Sequence, residues 1–354
     1  MKKHLINFVK FILFLGIGAS IMYYLYYTMN ISFQEQCRLD GVPPEDCSLI
    51  EKILDDFRSV NIFWMGMVFL AFTISNISRM IRWGMLVRNL GYPARNAYLF
   101  MSIIIGYLFN LLFPRLGEVV RAGSVAQTEE IPLQKVIGTI VVDRIMDVIC
   151  LALVLASAFI LEYDTITQFV SENQGEDTGK SYTWIWLLGT ALLGLGFIWY
   201  YQSNRSSLRK LKVFKKGEEI AYGMIEGIKT ISNLKKPGWF IFHSANVWFM
   251  YFLMTYFCFF AFEPTAGLSP RIGWMVFAFA ALGVLIPSPG GMGTVHWLTI
   301  SALTIYGLDE FASFSFANIL FFGVQIFYVI IGGLICLAIL AFVRNRKNKK
   351  LSSS

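Results

Sequence analysis

Charge is what this chain has least of. Asp, Glu, Lys and Arg make up 15% of its 354 residues, against about 25% in ordinary soluble domains. Hydrophobic residues account for 56% and the mean hydropathy is +0.58, so most of the chain must face hydrocarbon. Histidine is scarce too: His4, His243 and His296 lie far apart, and the five cysteines form no CxxC. That removes the usual metal-ligand spacings. There is no Walker loop, no dinucleotide fingerprint and no GxSxG. No cofactor or metal is implied, and no soluble catalytic domain; the expectation is a protein that is not an enzyme. The net charge of +7 does not point to nucleic acid, because the basic residues sit in short segments beside apolar runs, as in loops that hold membrane topology.

What is present is a series of long apolar runs. Crossing a bilayer takes roughly 20 apolar residues as helix. The run 8–27 qualifies; it ends in "MYYLYY" with no small-residue cleavage site, which reads as a retained anchor and not a signal peptide. Further full-length candidates are 60–80, 136–161, 182–202, 238–262 and 314–343. Loop charge assigns the sides. The segments 31–58 and 162–181 are acidic and read as external loops. The segments 79–96 and 203–236 and the tail "RNRKNKK" are basic and read as internal. Both termini then lie inside the cytoplasmic membrane of a bacterium. Cys37 and Cys47 fall on the oxidising side, where a disulfide or two free thiols are both open readings.

Parity gives the informative result. The region 97–135 must begin and end inside, and 271–306 must begin and end outside. Each is interrupted at a Pro/Gly point: Pro114 and Gly117 in the first, "PSPGGMG" with Pro287, Pro289, Gly290, Gly291 and Gly293 in the second. The expected fold is therefore an all-α polytopic membrane protein. It has about six full transmembrane helices and two broken re-entrant hairpins of opposite orientation, an inverted-repeat-like plan. One membrane domain covers 1–343 and a basic tail 344–354. Irregular backbone at membrane depth survives only against protein or a water-filled cavity. Within 208–236, apolar residues at helical spacing between lysines predict an amphipathic segment on an anionic lipid surface; a solvated basic loop is the other reading of its first half.

Ionisable residues fall at membrane depth in two groups, Arg115, Glu118 and Arg121 in "FNLLFPRLGEVVRAGSV" and Asp143, Arg144 and Asp147 in "VVDRIMD". Such groups are costly in lipid, so they pair or serve cargo. Asp143 and Asp147 share a helix face, where one cation can sit between them. Arg144 points about 100° away. A purely structural pairing, for instance Arg121 with Asp147, competes with a transport role. Arginine suits phosphate because its planar fork donates two parallel hydrogen bonds. Glu118 would accept a cationic head group or keep the arginines from holding phosphate irreversibly. His296 reads more readily as a packing residue than as a proton carrier.

These residues carry a resemblance. "NLLFPRLGEVVRAGSV" (110–125), "VVDRIMDV" (141–148) and "IPSPGGMGTVHW" (286–297) resemble, in order and spacing, three marker stretches of the flippase-like membrane region of lysylphosphatidylglycerol synthases. That region also occurs alone, in a family of uncharacterised integral membrane proteins. The resemblance covers nearly the whole chain and implies a lipid-translocating region without the soluble aminoacyl-transfer domain. Two departures stand out. The family usually has glutamate where this chain has Asp143, and commonly an acid close after the "PGG" element, where this chain has Thr294 and His296. The second departure puts aminoacylated lipid in doubt as the cargo.

The expectation is a flippase or scramblase passing a phospholipid or polyprenyl-phosphate head group through a polar cavity between the hairpins. Arg115, Arg121 and Arg144 would engage phosphate; Glu118, Asp143 and Asp147 would balance charge or couple to ions. An ion-coupled carrier of a small soluble anion is the alternative, and a membrane-embedded lipid-modifying enzyme a weaker one. Association with further copies of the chain or with a separate lipid-modifying enzyme stays open.

Overall fold

The computed structural model describes residues 2–43, 47–113, 116–165, 227, 229–286 and 288–352. Among these, all regular structure is helical. The chain divides into two units, 1–154 with 234–354, and 155–233. Of the second unit the described residues cover little beyond the end of one helix, where Phe159 and Tyr163 meet edge to face at 6.0 Å. The expected span 182–202, most of the loop 162–181 and most of the amphipathic segment 208–236 lie outside the described residues, as do Pro114, Arg115 and Pro287.

The first unit contains α1 (Lys2–Leu39), α2 (Leu49–Ser59), α3 (Ile62–Asn89), α4 (Asn96–Leu112), α5 (Leu116–Thr128) and the start of α6 (Leu133–Leu161). It resumes with α7 (Pro237–Ala261), α8 (Pro270–Leu285), α9 (Thr294–Ile305), α10 (Glu310–Phe322), a π-helical stretch Gly323–Ile331 and α11 (Gly332–Ser352). Helices α3, α6 and α7, and the continuous rod formed by α10, the π stretch and α11, are long and apolar enough to cross a membrane. Their starts follow ordinary capping chemistry. Asn61 accepts from the amides of Phe63 and Trp64, Ser269 from that of Ile272, and Asp309 from those of Phe311 and Ala312.

Helices α3 and α7 form an antiparallel pair at the centre. The Asn61 amide donates to the Ala261 carbonyl at 2.9 Å, Trp64 stacks on Phe260 with ring centroids 4.7 Å apart, and Ser75 reaches the Val247 carbonyl at 3.5 Å. Phe72, Leu108, Phe259, Val276, Leu303 and Phe316 join several helices in one buried apolar cluster.

Two elements differ from the sequence expectation. The acidic segment 31–58 is largely helical: α1 continues to Leu39, and α2 occupies Leu49–Ser59. The two are joined by a Cys37–Cys47 disulfide, closing a loop of sequence separation 10. Helix α3 also runs past the expected end of its span at residue 80 to Asn89, which carries Arg79 and Arg82 off the supposed internal loop and into the helix.

The two broken segments fold as helical hairpins. In the first, α4 and α5 lie so close that a Cβ on Gly117 would strike the Gly106 carbonyl, and the Gly117 amide donates to Asn110 Oδ1 at 2.8 Å. Their far ends are tied where the Arg95 amide donates to Glu129 Oε1 at 2.9 Å. In the second, α8 and α9 meet at Gly283, whose carbonyl accepts from the Thr294 hydroxyl at 2.8 Å. The turn between them holds Gly290, Gly291 and Gly293 at φ of 60, 83 and 80°, a region that side chains avoid. Helix α4 has 17 residues and α8 has 16, so each spans about 25 Å, short of a hydrocarbon core of about 30 Å. The two hairpins touch: a Cβ on Gly290 would lie 2.5 Å from Leu111 Cδ2 at the end of α4. The Gly290 carbonyl also accepts from Gln325 Nε2 of the π stretch at 3.5 Å.

Candidate functional site

Inside this frame, three helices bring seven charged side chains together among the described residues. Helix α3 contributes Arg79 and Arg82, α5 contributes Glu118 and Arg121, and α6 contributes Asp143, Arg144 and Asp147. Arg79 and Asp143 each lie ten residues in from a helix end at Asn89 or Leu133, a depth of about 15 Å at 1.5 Å per residue. Those ends carry Arg88, Arg95 and Lys135 near by. The cluster therefore sits deep in the apolar belt, where uncompensated charge is costly.

The inner part is closed. Arg82 Nη2 lies 2.6 Å from Asp143 Oδ1 and 2.8 Å from Asp147 Oδ1. Arg79 Nη1 lies 2.7 Å from Asp147 Oδ2 and 3.7 Å from Asp143 Oδ2. Arg121 reaches Asp143 Oδ2 with both Nη atoms at 3.2 Å. All five residues are buried. Arg121 also lies flat on Trp83, its guanidinium carbon 3.7 Å from the ring centroid, while Trp83 Nε1 donates to Thr139 Oγ1 at 2.9 Å. Arg79 Nη2 further meets the Tyr251 hydroxyl at 3.4 Å, which in turn lies 3.5 Å from that of Tyr107. Removing one partner from such a buried set strands a charge, at a cost of about 3–5 kcal/mol.

The outer part is different. Arg144 Nε lies 2.9 Å from Glu118 Oε1, and the two side chains are 41% and 35% exposed. Arg144 Nε makes no hydrogen bond of good geometry, as is also true of Asp143 Oδ1 in the inner set. Arg144 Nη1 stands 3.7 Å from Asp147 Oδ2. A half-exposed pair of this kind contributes about 1 kcal/mol or less. Among the described residues of the cluster, four guanidiniums face three carboxylates, one positive charge in excess.

Helix α6 is joined to α3 and α5 by these long side chains more than by its backbone, and Trp83–Thr139 is a further bridge between α3 and α6. The sequence expectation placed Glu118, Arg121, Asp143, Arg144 and Asp147 in one site, and the structure brings all five together. It pairs Arg121 with Asp143 and not Asp147. The place for a cation between the two aspartates is filled by Arg82. Arg144, expected to point away from them, turns to Glu118. Arg79 and Arg82 escape a reading by loop charge, which counts them with the loop. A signal for them exists all the same: Ser75, Arg79 and Arg82 recur at helical spacing on one face of a largely apolar helix.

His296 lies apart from the cluster, fully buried in α9 against Phe321 at 4.6 Å between ring centroids, with neither nitrogen hydrogen-bonded. Pro289, Gly290, Gly291 and Gly293 form the second hairpin's turn. Among the described residues, no group of three or more His, Cys, Asp or Glu side chains is placed to hold a metal ion.

Residues 48–346 match the family described as the lysylphosphatidylglycerol synthase TM region. A UPF0104 membrane protein of Methanocaldococcus jannaschii is 25% identical over 123 residues, 34% of this chain and 36% of that protein. The match thus spans about a third of the relative's length. No solved structure matches the chain.

Proposed function

Since the chain belongs to the family of the lysylphosphatidylglycerol synthase TM region, and is an all-helical polytopic membrane protein, we propose that it moves a lipid head group between leaflets as a flippase or scramblase. The observation that carries this reading is the cluster of four arginines and three carboxylates at membrane depth beside the α4–α5 hairpin. A purely structural pin would balance its charges; among the described residues this one keeps an excess positive charge, and the side chains of its outermost pair are partly exposed. Phosphate in a lipid head group is the anion that such guanidiniums suit.

The hairpins support the same reading as re-entrant elements. Their shortness, and the meeting of Gly290 with Leu111, fit two apices that approach from opposite faces. Gly18, near the middle of the apolar run of α1, lies against Pro289 and Met292, which suits a turn at mid-depth. On this reading Arg144 meets phosphate, with Arg115 as a second candidate; Arg121, held by Asp143, supplies fixed positive charge, and Glu118 balances Arg144. Asp143 and Asp147 hold the arginines in place. The setting is the cytoplasmic membrane of a bacterium with both termini inside. We read the protein as a transporter and not an enzyme because Asp143 lies buried within ion-pair distance of three guanidiniums, which suits a counter-ion better than a general base. Carriage of a small soluble anion is the second reading, favoured by the same arginine excess.

Purified protein in liposomes with acyl-labelled fluorescent phospholipids tests this directly. Dithionite removes half of the signal from sealed protein-free vesicles. A loss well beyond half is expected with the protein present, reduced in Arg144→Ala. A signal that stays at half for several phospholipid head groups would overturn phospholipid translocation and advance a polyprenyl phosphate or a soluble anion.

A further inference from the structure

The cluster divides into a part that cannot open and a part that can, and the division bears on what the cargo carries. Three buried guanidiniums hold two buried carboxylates through contacts of 2.6 to 3.2 Å. Opening that set would strand charge in an apolar surround. Arg144 and Glu118, by contrast, are each more than a third exposed, on helices α6 and α5. Theirs are the accessible side chains of the cluster.

Resting on the lipid-translocating reading, we propose that Arg144 and Glu118 are an exchangeable ion pair. On this view the preferred cargo head group is zwitterionic, a phosphodiester with a primary ammonium a few bonds away. The phosphodiester takes Arg144 from Glu118, and the ammonium takes Glu118 from Arg144. Each partner leaves one opposite charge and gains another, so the site's total charge changes by nothing when the cargo enters or leaves. A head group with phosphate alone takes Arg144 and leaves Glu118 without its partner, which disfavours its entry. A head group with ammonium alone leaves Arg144 added to an already positive cluster. The inner set, with its excess positive charge, keeps Arg144 and the phosphate oriented without being displaced.

The test compares acyl-labelled phosphatidylethanolamine, its N-acetylated form and phosphatidylglycerol in proteoliposomes. N-acetylation removes only the ammonium charge. Wild-type protein is expected to move phosphatidylethanolamine about tenfold faster than either of the others, the scale of one charge-assisted contact. Equal rates for all three overturn the zwitterion preference while leaving lipid translocation intact; no movement of any of them overturns phospholipid translocation and the zwitterion preference with it. Glu118→Gln is expected to lower the ratio of phosphatidylethanolamine to phosphatidylglycerol rates about tenfold. An unchanged ratio, whatever the absolute rates, overturns the role given to Glu118, and a folding defect alone cannot mimic a changed ratio. The same chemistry could reach the site in soluble form. Uptake of radiolabelled glycerophosphoethanolamine with lipid unmoved would uphold the head-group class and transfer it to a soluble cargo.

Discussion

Gly117 packs its α-carbon against the carbonyl of Gly106, with no space for a side chain on that face. The α4–α5 hairpin is therefore held backbone to backbone, which positions Glu118 and Arg121 one and four residues further on. Gly117→Ala should force the helices apart and lower stability by about 1–3 kcal/mol, as overpacking does. Gly123 lies in the same helix, and a Cβ added there would meet nothing within 4 Å. Gly123→Ala should be neutral or stabilise by up to about 1 kcal/mol. Thermal unfolding in detergent followed by size-exclusion chromatography compares the two; equal losses would contradict the hairpin argument.

Asp143→Ala should be among the most damaging single changes in the protein. It leaves Arg82 and Arg121 buried with too little counter-charge, and about 3–5 kcal/mol is expected to be lost. Glu118→Gln, at the half-exposed pair, should lose about 1 kcal/mol or less. The ranking can be read from midpoint temperatures of the two variants. If the two losses are similar, the division into a closed inner set and an open outer pair is wrong.

The Cys37–Cys47 bond closes a short loop between α1 and α2. Breaking it by Cys37→Ser should destabilise by about 2–3 kcal/mol, the entropy released to the unfolded chain by a loop of this size. Thiol alkylation before and after reduction, read by mass spectrometry, should show two cysteines blocked only after reduction. Labelling of both without reductant would dismiss the bond.

His296 is fully buried and neither nitrogen is hydrogen-bonded. Burying an unsatisfied imidazole is unfavourable, so His296→Leu should raise stability by about 1–2 kcal/mol. Lipid movement should persist in this variant. Loss of transport with a normal melting temperature would show that the imidazole takes part in the cycle.

Much of this architecture is legible in the sequence, for identifiable reasons. Apolar runs longer than a bilayer is thick mark α3, α6 and α7, and two Pro/Gly interruptions mark the hairpin turns. The charged residues of "VVDRIMD" stand out because they interrupt a long apolar run. Arg79 and Arg82 are obscured by the opposite circumstance: they lie next to Arg88 and Arg95, so counting charge merges them with the true loop. Helix α2 announces itself through Ser48 and Glu51, a capping pair in which Ser48 accepts from the Glu51 amide at 3.3 Å, yet acidic composition alone suggests loop. The π stretch Gly323–Ile331 has no sequence signature that distinguishes it from the helices on either side.

The contact between Gly290 and Leu111 also bears on electricity. If the two short hairpins enter from opposite faces, as proposed above, the barrier between the two aqueous sides would be thinner there than the bilayer around it, and the transmembrane voltage would fall across that narrow layer. A cargo of unit charge crossing there would gain or lose about 2.3 kcal/mol per 100 mV. A head group whose phosphate and ammonium cancel would cross the same layer with no net electrical work. Its distribution between leaflets would then be indifferent to whether the cell is energised.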